Sequence, residues 1–376
     1  MRVALDVSAL SDGLQSGTAV YLYRLAEALA GESAIELDLL YNGMRGTGVE
    51  LARSLEAPRV RVLVEPLLWR PLPAPLFWRP YPRALTDAAR RADVFHVGEF
   101  VYPGVPPSLA VTATVHDCTT KLFPQWHGWA NRLLHHRRLR WIHRHAKRVL
   151  IDAEATRADS ARVMGLPPDR FDVVPLARGT PDVTPHPQVR AELGIGAEPF
   201  LLFVGTLEPR KNLVRLVEAF LRTPHAATTK LVLAGRWGWH GGELRQALDA
   251  APPGRVVVTG GVGAGSLAGL YREARAFAYP SLYEGFGLPV LEAMAAGVPV
   301  ITSGGGTLAE IAGGAARLVD ASSVESIRQG LDEVLSSEEL RKDLRAKGEV
   351  RERQFTWQRT ARLTVDAWRR AAGVAA

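Results

Sequence analysis

The sequence predicts an α/β protein built from two doubly wound, parallel-sheet domains. Three observations predict it. Short β-branched runs alternate with longer amphipathic ones from end to end, the runs fall into two sets, and a stretch broken by proline and glycine separates the sets. Candidate strands of the first set are Arg2–Val7, Ile35–Tyr41, Val60–Val64, Val94–Val97, Ala110–Val115, Arg148–Ile151 and Asp172–Val174. Those of the second are Phe200–Val204, Lys230–Ala234, Val256–Thr259, Ala276–Tyr279, Val298–Thr302 and Arg317–Val319. The stretch between them, Ala177 to Pro187, contains Gly179, Pro181, Pro185 and Pro187, which interrupt any periodicity and suit a linker. At 376 residues the chain also exceeds what one core usually holds.

The tail reads as three helices, Ser323 to Leu335, Ser337 to Phe355 and Thr356 to Ala371, each opened by a serine or threonine that can cap it. The last carries Trp357 and Trp368 and needs an apolar surface to cover. A return to the first domain is one option.

Composition sets the class: 47% apolar and 23% charged residues are ordinary for a soluble globular chain. With one cysteine, Cys118, there is no intramolecular disulfide, and a reducing compartment fits. The opening run Met1–Val7 meets a charge at Asp6, which reads as a buried strand and not as a secretory signal. No uncharged apolar stretch reaches the roughly 18 residues that cross a bilayer. A cytoplasmic protein is expected, with a peripheral place on the inner face of the cytoplasmic membrane left open.

The formal charge of +7 is unevenly spread. Between Lys121 and Ile151 there is no acidic residue, while Lys121, Arg132, Arg137, Arg138, Arg140, Arg144, Lys147 and Arg148 crowd together with Trp126, Trp129 and Trp141. A second stretch, Leu67 to Arg83, mixes Trp69, Arg70, Phe77, Trp78, Arg79, Tyr81 and Arg83 with prolines. Basic residues among aromatics suit anionic lipid headgroups, so residues 67–83 and 121–148 are candidate membrane contacts. The plain alternative is a solvated helix face with some aromatics packed inward. No nucleic-acid partner is expected, because no helix-turn-helix, RNP-like or zinc-ligand pattern accompanies the charge.

The chemistry concentrates in two clusters. The first is Pro280 to Gly297, in which Glu284 and Glu292 flank a glycine loop that runs into a short helix. Pro289 suits the first helical position and Gly297 the left-handed residue that ends it. The free amides and positive dipole end of that helix open beside Gly285, Phe286 and Gly287, where a phosphate would be welcome. Both glutamates can accept hydrogen bonds from hydroxyls. Phosphate donors flanked by hydroxyl acceptors point to a nucleotide sugar. The second cluster, Gly205 to Asn212, follows the strand Phe200–Val204 and precedes a helix beginning near Asn212. Ligands of open parallel sheets bind beyond the carboxyl ends of the strands, so the two clusters can face one crevice. Arg210 and Lys211 would supply fixed positive charge for a pyrophosphate.

The segments Gly205-Thr-Leu-Glu-Pro-Arg-Lys-Asn212 and Glu284-Gly-Phe-Gly-Leu-Pro-Val-Leu-Glu292 resemble the signature of retaining GT-B glycosyltransferases of family 4, with Glu284 and Glu292 matching its E-x7-E motif. Thr114–Asp117, Glu154–Arg157, Val173–Pro175 and Phe355–Trp357 fall in the family's order, so the likeness spans nearly the whole chain. It implies two Rossmann-like domains facing each other across a cleft. Residues 1–182 would form the acceptor side, completed by the returning helix 357–376, and residues 183–356 the donor side.

The resemblance also implies roles. Arg210 and Lys211 would grip the diphosphate and stabilise the departing nucleotide, with Gly205 in the same loop. Glu292 would accept the ribose hydroxyls. Glu284, with the amides of Phe286, Gly287 and Leu288, would hold the donor sugar. His116 would sit beside the reacting sugar, and Val262, in the loop Gly260–Gly265, against the base. In the first-domain loop Ser16–Tyr21 the single Gly17 stands where the family usually has two glycines; Gly17 can still let a backbone approach a ligand closely. Without the resemblance, His116 reads equally as a satisfied core histidine. Cys118 reads as a buried thiol, since no basic group is placed in sequence to activate it.

The reaction implied is transfer of a hexose from a nucleoside-diphosphate sugar to a lipid-linked oligosaccharide or surface polysaccharide. The opening Ala4–Leu10 and Thr114–Asp117 look most like the bacterial O-antigen mannosyl- and rhamnosyltransferase branch, which favours GDP-mannose or GDP-rhamnose. No cofactor is expected, and no metal, because the sequence contains no Asp-x-Asp pair. The alternatives are a nucleotide-sugar epimerase or phosphorylase on the same architecture, and a non-catalytic sugar-binding protein. The intact set Arg210, Lys211, Glu284 and Glu292 speaks against the last.

Overall fold

The computed structural model describes residues 1–14, 16–43, 46–65, 82–98, 106, 108–179 and 183–374. The chain forms two compact units, Met1–Gly179 together with Thr356–Ala376, and Thr180–Phe355. Most of the aromatic stretch 67–83, and residues 180–182 of the expected linker, lie outside the described residues.

The first unit is built on a seven-stranded sheet in the order β3-β2-β1-β4-β5-β6-β7. Its strands are β1 (Arg2–Asp6), β2 (Glu36–Tyr41), β3 (Val60–Val64), β4 (Val94–Val97), β5 (Ala110–Thr114), β6 (Ala146–Ile151) and β7 (Phe171–Val173). All of these pair in parallel. Helices cover the sheet, so the central strands are buried along their length; β4 and β5 are buried at every position. β6 starts at Ala146, two residues before the run Arg148–Ile151 legible in sequence. The charged Lys147 masks its start. Arg148 is tolerated there because it forks onto Asp172 of β7, at 2.7 and 2.6 Å.

The C-terminal helix, Trp357–Ala372, begins at Thr356, whose hydroxyl accepts from the Arg359 amide. It packs beside the Gly17–Leu29 helix and against β5 and β6, and buries Trp368 completely. Arg370 adds a second guanidinium to Asp172, at 2.8 Å. The apolar surface that the tryptophans require is therefore that of the first unit.

The second unit has a six-stranded parallel sheet in the order β10-β9-β8-β11-β12-β13. Its strands are β8 (Phe200–Val204), β9 (Lys230–Ala234), β10 (Val256–Gly260), β11 (Ala276–Tyr279), β12 (Val300–Ser303) and β13 (Ala316–Val319). β12 starts at Val300 and not at Val298. The Val298 amide closes the preceding helix on Ala293 O at 2.9 Å, and Pro299 has no N–H to donate to a ladder. The order of strands reverses between β8 and β11. A crevice opens at such a point beyond the strand ends, so the loops after β8 and β11 are the natural ligand loops of this unit. On the other flank of β8 the backbones are close: a Cβ at Gly235, just after β9, would lie 1.8 Å from the Gly205 carbonyl oxygen.

Candidate active site

Both sequence clusters sit at the β8/β11 reversal. Leaving β8, the chain passes Gly205 at φ +147° and makes one 3-10 turn, Pro209–Lys211. It then turns through Asn212 in the left-handed region before the helix Leu213–Leu221. Asn212 is thus the bend before that helix. Its side-chain amide ties the turn to Pro280 O at 3.0 Å and Ala321 O at 2.7 Å. From β11 the chain runs through Pro280–Gly287 into the helix Leu288–Ala295. Pro289 is the second residue of this helix and not the first, because Gly287 (φ +113°) is the cap and Leu288 opens it. Gly297, at φ +68°, follows its end in the left-handed conformation expected. The loop is anchored from β12, where Thr302 Oγ1 donates to Tyr279 O at 2.9 Å and Ser303 Oγ to Ser281 O at 2.6 Å.

The two loops meet through charge. Lys211 Nζ donates to Glu284 Oε1 at 2.7 Å and to Tyr279 OH at 2.6 Å. Arg210 Nη1 donates to Glu284 Oε2 at 2.5 Å and to Tyr283 O at 3.3 Å, while its Nε and Nη2 grip Glu208 Oε1 at 3.1 and 2.8 Å. Lys211, Glu208 and Glu284 are all buried. Burial alone would raise the Glu284 carboxyl, but Arg210 and Lys211 outweigh it and hold the group below its ordinary value, so it is ionised. Burial and the neighbouring guanidinium pull the Lys211 ammonium down, against the opposing pull of Glu284. Glu284 is therefore more than an acceptor beside a glycine loop, since each of its oxygens holds one of the two cations.

Glu292 lies on the Leu288–Ala295 helix, half-buried, and accepts from Tyr271 OH at 3.0 Å. Phe286 is buried edge-on to Phe355, with centroids 6.0 Å apart, so the loop presents backbone and not this ring. Val262 falls between β10 and the helix Ala264–Glu273, and Arg236 lies against the adjacent Gly261, whose Cβ would meet its side chain at 2.9 Å. Gly205, Arg210, Lys211, Val262, Glu284, Phe286, Gly287, Leu288 and Glu292 thus all belong to the second unit.

His116 and Gly17 belong to the first unit. Gly17 opens the helix Gly17–Leu29 after the cap Ser16, with nothing within 4 Å of the place a Cβ would take. His116 follows β5. Its Nδ1 is 2.8 Å from Asp152 Oδ2 at the end of β6, and its ring stands edge-on to Tyr21 at 4.8 Å. Burial opposes the imidazolium, but the charge and hydrogen bond of Asp152 prevail and raise its pKa above the ordinary histidine value. Cys118 is buried beside Ser160, and burial pushes its thiol up to about 12, which fits an inert residue.

Sequence reading passed over Asp152, Glu208, Tyr271 and Tyr279 as site residues. Asp152 carried a signal, being a carboxylate directly after an apolar parallel strand, where such sheets bind ligands. Glu208 stood inside the Gly205–Asn212 cluster. The two tyrosines read only as strand and helix aromatics.

The basic segment folds as the helix Trp129–His145. Its character is mixed. Arg138 is buried, donating to Thr114 O at 2.7 Å, and Trp141 packs against the core. Trp126 stacks on Phe123 at 4.3 Å. Trp129, 70% exposed, and Leu133, 43% exposed, share the outer face with Arg132, Arg137, Arg140 and Arg144. Among the described residues no helix is long and apolar enough to cross a membrane.

Two family descriptions cover this geometry, "Glycosyltransferase Family 4" over residues 15–177 and "Glycosyl transferases group 1" over residues 186–351. The O-antigen chain mannosyltransferase B of Escherichia coli is 31% identical over 267 residues, which is 69% of this chain and 70% of that protein. The chain belongs to the family 4 glycosyltransferases. Its fold is that of sucrose-phosphate synthase from Thermosynechococcus elongatus, with a TM-score of 0.70 at 20% identity over 98% of both chains. It is shared by the glycosyltransferase WaaG, with a TM-score of 0.67 at 17% identity over 97% of this chain and 99% of that one. Anabaena HepE, solved with UDP and glucose, gives a TM-score of 0.71 at 15% identity over 97% of this chain and 98% of its own. The glycosyltransferase therefore has the GT-B fold.

Asp152 controls the charge of His116, and this can be tested directly. In Asp152→Asn the attraction and the charged hydrogen bond are lost, while burial and Arg138 still disfavour the cation. Imidazole nitrogen shifts should show a His116 midpoint above 6.5 in the parent and below it in the variant. An unchanged midpoint would mean that Asp152 does not set the charge.

Proposed function

We propose that this glycosyltransferase moves a hexose, with retention of anomeric configuration, from a GDP-sugar to a lipid-linked oligosaccharide or surface polysaccharide. GDP-mannose is the first choice of donor and GDP-rhamnose the second. The observation that carries the reading is the cluster Arg210–Lys211–Glu284 at the β8/β11 reversal, next to the amino end of the Leu288–Ala295 helix. The named relative of comparable length, an O-antigen mannosyltransferase, supports the choice of sugar and acceptor class.

In this reading the donor diphosphate meets the cations Arg210 and Lys211 and the first-turn amides of the helix. Glu292 accepts the ribose hydroxyls, Val262 lies at the base, and Glu284 orients both cations and meets the sugar. The bond from the anomeric carbon to the phosphate oxygen breaks with its electron pair going to the diphosphate. The acceptor oxygen bonds to the same face of that carbon, and its proton passes to the departing phosphate. Negative charge grows on the diphosphate, where fixed cations and helix amides are worth most. His116, kept in place by Asp152, stands at the sugar. The step needs no metal, consistent with a sequence without an Asp-x-Asp pair.

A thermal-shift panel of GDP, UDP, ADP and dTDP tests the donor. At a hundredfold excess over Kd the preferred nucleotide should raise Tm by roughly 5–10 °C. In Glu292→Ala its Kd should weaken about 10- to 100-fold, as expected for lost hydrogen bonds to a charged group. No shift with any of the four, or full GDP affinity in Glu292→Ala, would contradict the assignment.

We also propose that the outer face of the Trp129–His145 helix rests on anionic lipid, its arginines at the headgroups and Trp129 at the interface. Sedimentation with phosphatidylglycerol vesicles should carry the protein down at low salt and release it as salt rises. Arg137→Glu combined with Arg140→Glu should abolish this, and binding unaffected by salt and by both substitutions would refute it.

A further inference from the structure

We propose that the C-terminal helix mounts His116, with Trp368 acting as a positioning residue through a buried hydrogen-bonded chain of His96, Thr114 and Tyr21. The inference rests on His116 standing at the sugar, as proposed above.

The chain can be followed atom by atom within the first unit. Trp368 Nε1 lies 3.1 Å from His96 Nδ1. An indole N–H only donates, so Nδ1 must accept and the single proton of the neutral ring sits on Nε2. The ring is neutral because burial, helped by Arg138 and His116, pulls its pKa down to about 3. His96 Nε2 then donates to Thr114 Oγ1, 3.1 Å away, and that hydroxyl is 2.8 Å from Tyr21 OH. Thr112 Oγ1 adds a contact to Nδ1 at 2.9 Å. The Tyr21 ring, edge-on to His116 at 4.8 Å, forms one wall of the imidazole, and Asp152 holds it at Nδ1. Trp357, at the start of the same C-terminal helix, lies 6.4 Å from the Tyr21 ring. Both ends of one helix thus bear on the residue that faces His116.

Trp368, His96, Thr114 and Tyr21 are each no more than 2% exposed. An apolar core would fill this space without demanding any hydrogen bond. A buried polar chain with each link satisfied fixes one arrangement of its side chains, since any other leaves a buried group unpaired. Here the arrangement it fixes ends against the imidazole. Arg138 secures the same strand end by donating to Thr114 O at 2.7 Å, two residues before His116.

The test uses Tyr21→Phe, which deletes only the O–H, and Trp368→Phe, which keeps an aromatic ring but removes the N–H together with part of the indole. Their histidine side-chain NMR spectra and GDP-mannose turnover, followed as GDP release, are compared with the parent. Both variants should shift or broaden the His116 ring signals and lower kcat on the order of tenfold, with donor KM within about twofold. In a His116→Ala background the same substitutions should have no further effect on kcat, because they act through the missing ring. Unmoved His116 signals in both variants would overturn the proposal, as would an undiminished kcat loss in the His116→Ala background. If Trp368→Phe does not fold, Tyr21→Phe carries the test alone. Unchanged turnover in His116→Ala by itself would instead remove the site reading on which the proposal stands.

Discussion

The second unit is organised around one buried carboxylate. Glu284 can remain ionised away from water because Arg210 and Lys211 each take one of its oxygens, and the buried Lys211 ammonium is matched in turn by Glu284. This mutual pairing fixes the loop after β8 against the loop after β11. Glu208 orients the guanidinium from behind, Tyr279 meets the ammonium, and Asn212 ties the turn to Pro280 and Ala321. A buried ion cluster adds little net stability, but it presents positive charge in a set geometry. That suits the diphosphate leaving group of the proposed reaction.

The first unit uses a different device. Its histidine is steadied by a carboxylate at Nδ1 and by an aromatic wall, and the polar chain behind that wall is sealed from solvent by the helix Trp357–Ala372. The return of the chain at Thr356 therefore does more than cover apolar surface. Asp172 shows the same economy of placement, gathering Arg148 from the neighbouring strand and Arg370 from the C-terminal helix.

Much of this was legible in the sequence where the physics is local. Runs such as Phe200–Val204, Lys230–Ala234 and Ala276–Tyr279 appear as strands with the bounds their apolar content suggests. One boundary drifted because a long-range partner decides it, at Ala146, where Asp172 makes a charged strand start tolerable; another drifted for a local reason, at Val300, where Pro299 delays the ladder. The paired glutamates and the Arg-Lys pair stood out by type and spacing. Their direct pairing did not, because Arg210 and Glu284 are 74 residues apart and nothing in spacing distinguishes a carboxylate that binds hydroxyls from one that holds cations. The Trp368–His96 contact was invisible for the same reason, since it joins residues 272 positions apart.

In the proposed reaction the Arg210–Lys211–Glu284 cluster receives the donor diphosphate. A crystal structure of the protein with GDP tests this most directly. The β-phosphate should lie within hydrogen-bond distance of Arg210 and Lys211, with its oxygens toward the amino end of the Leu288–Ala295 helix and the ribose hydroxyls on Glu292. A diphosphate bound elsewhere, with neither cation touching it, would contradict the account.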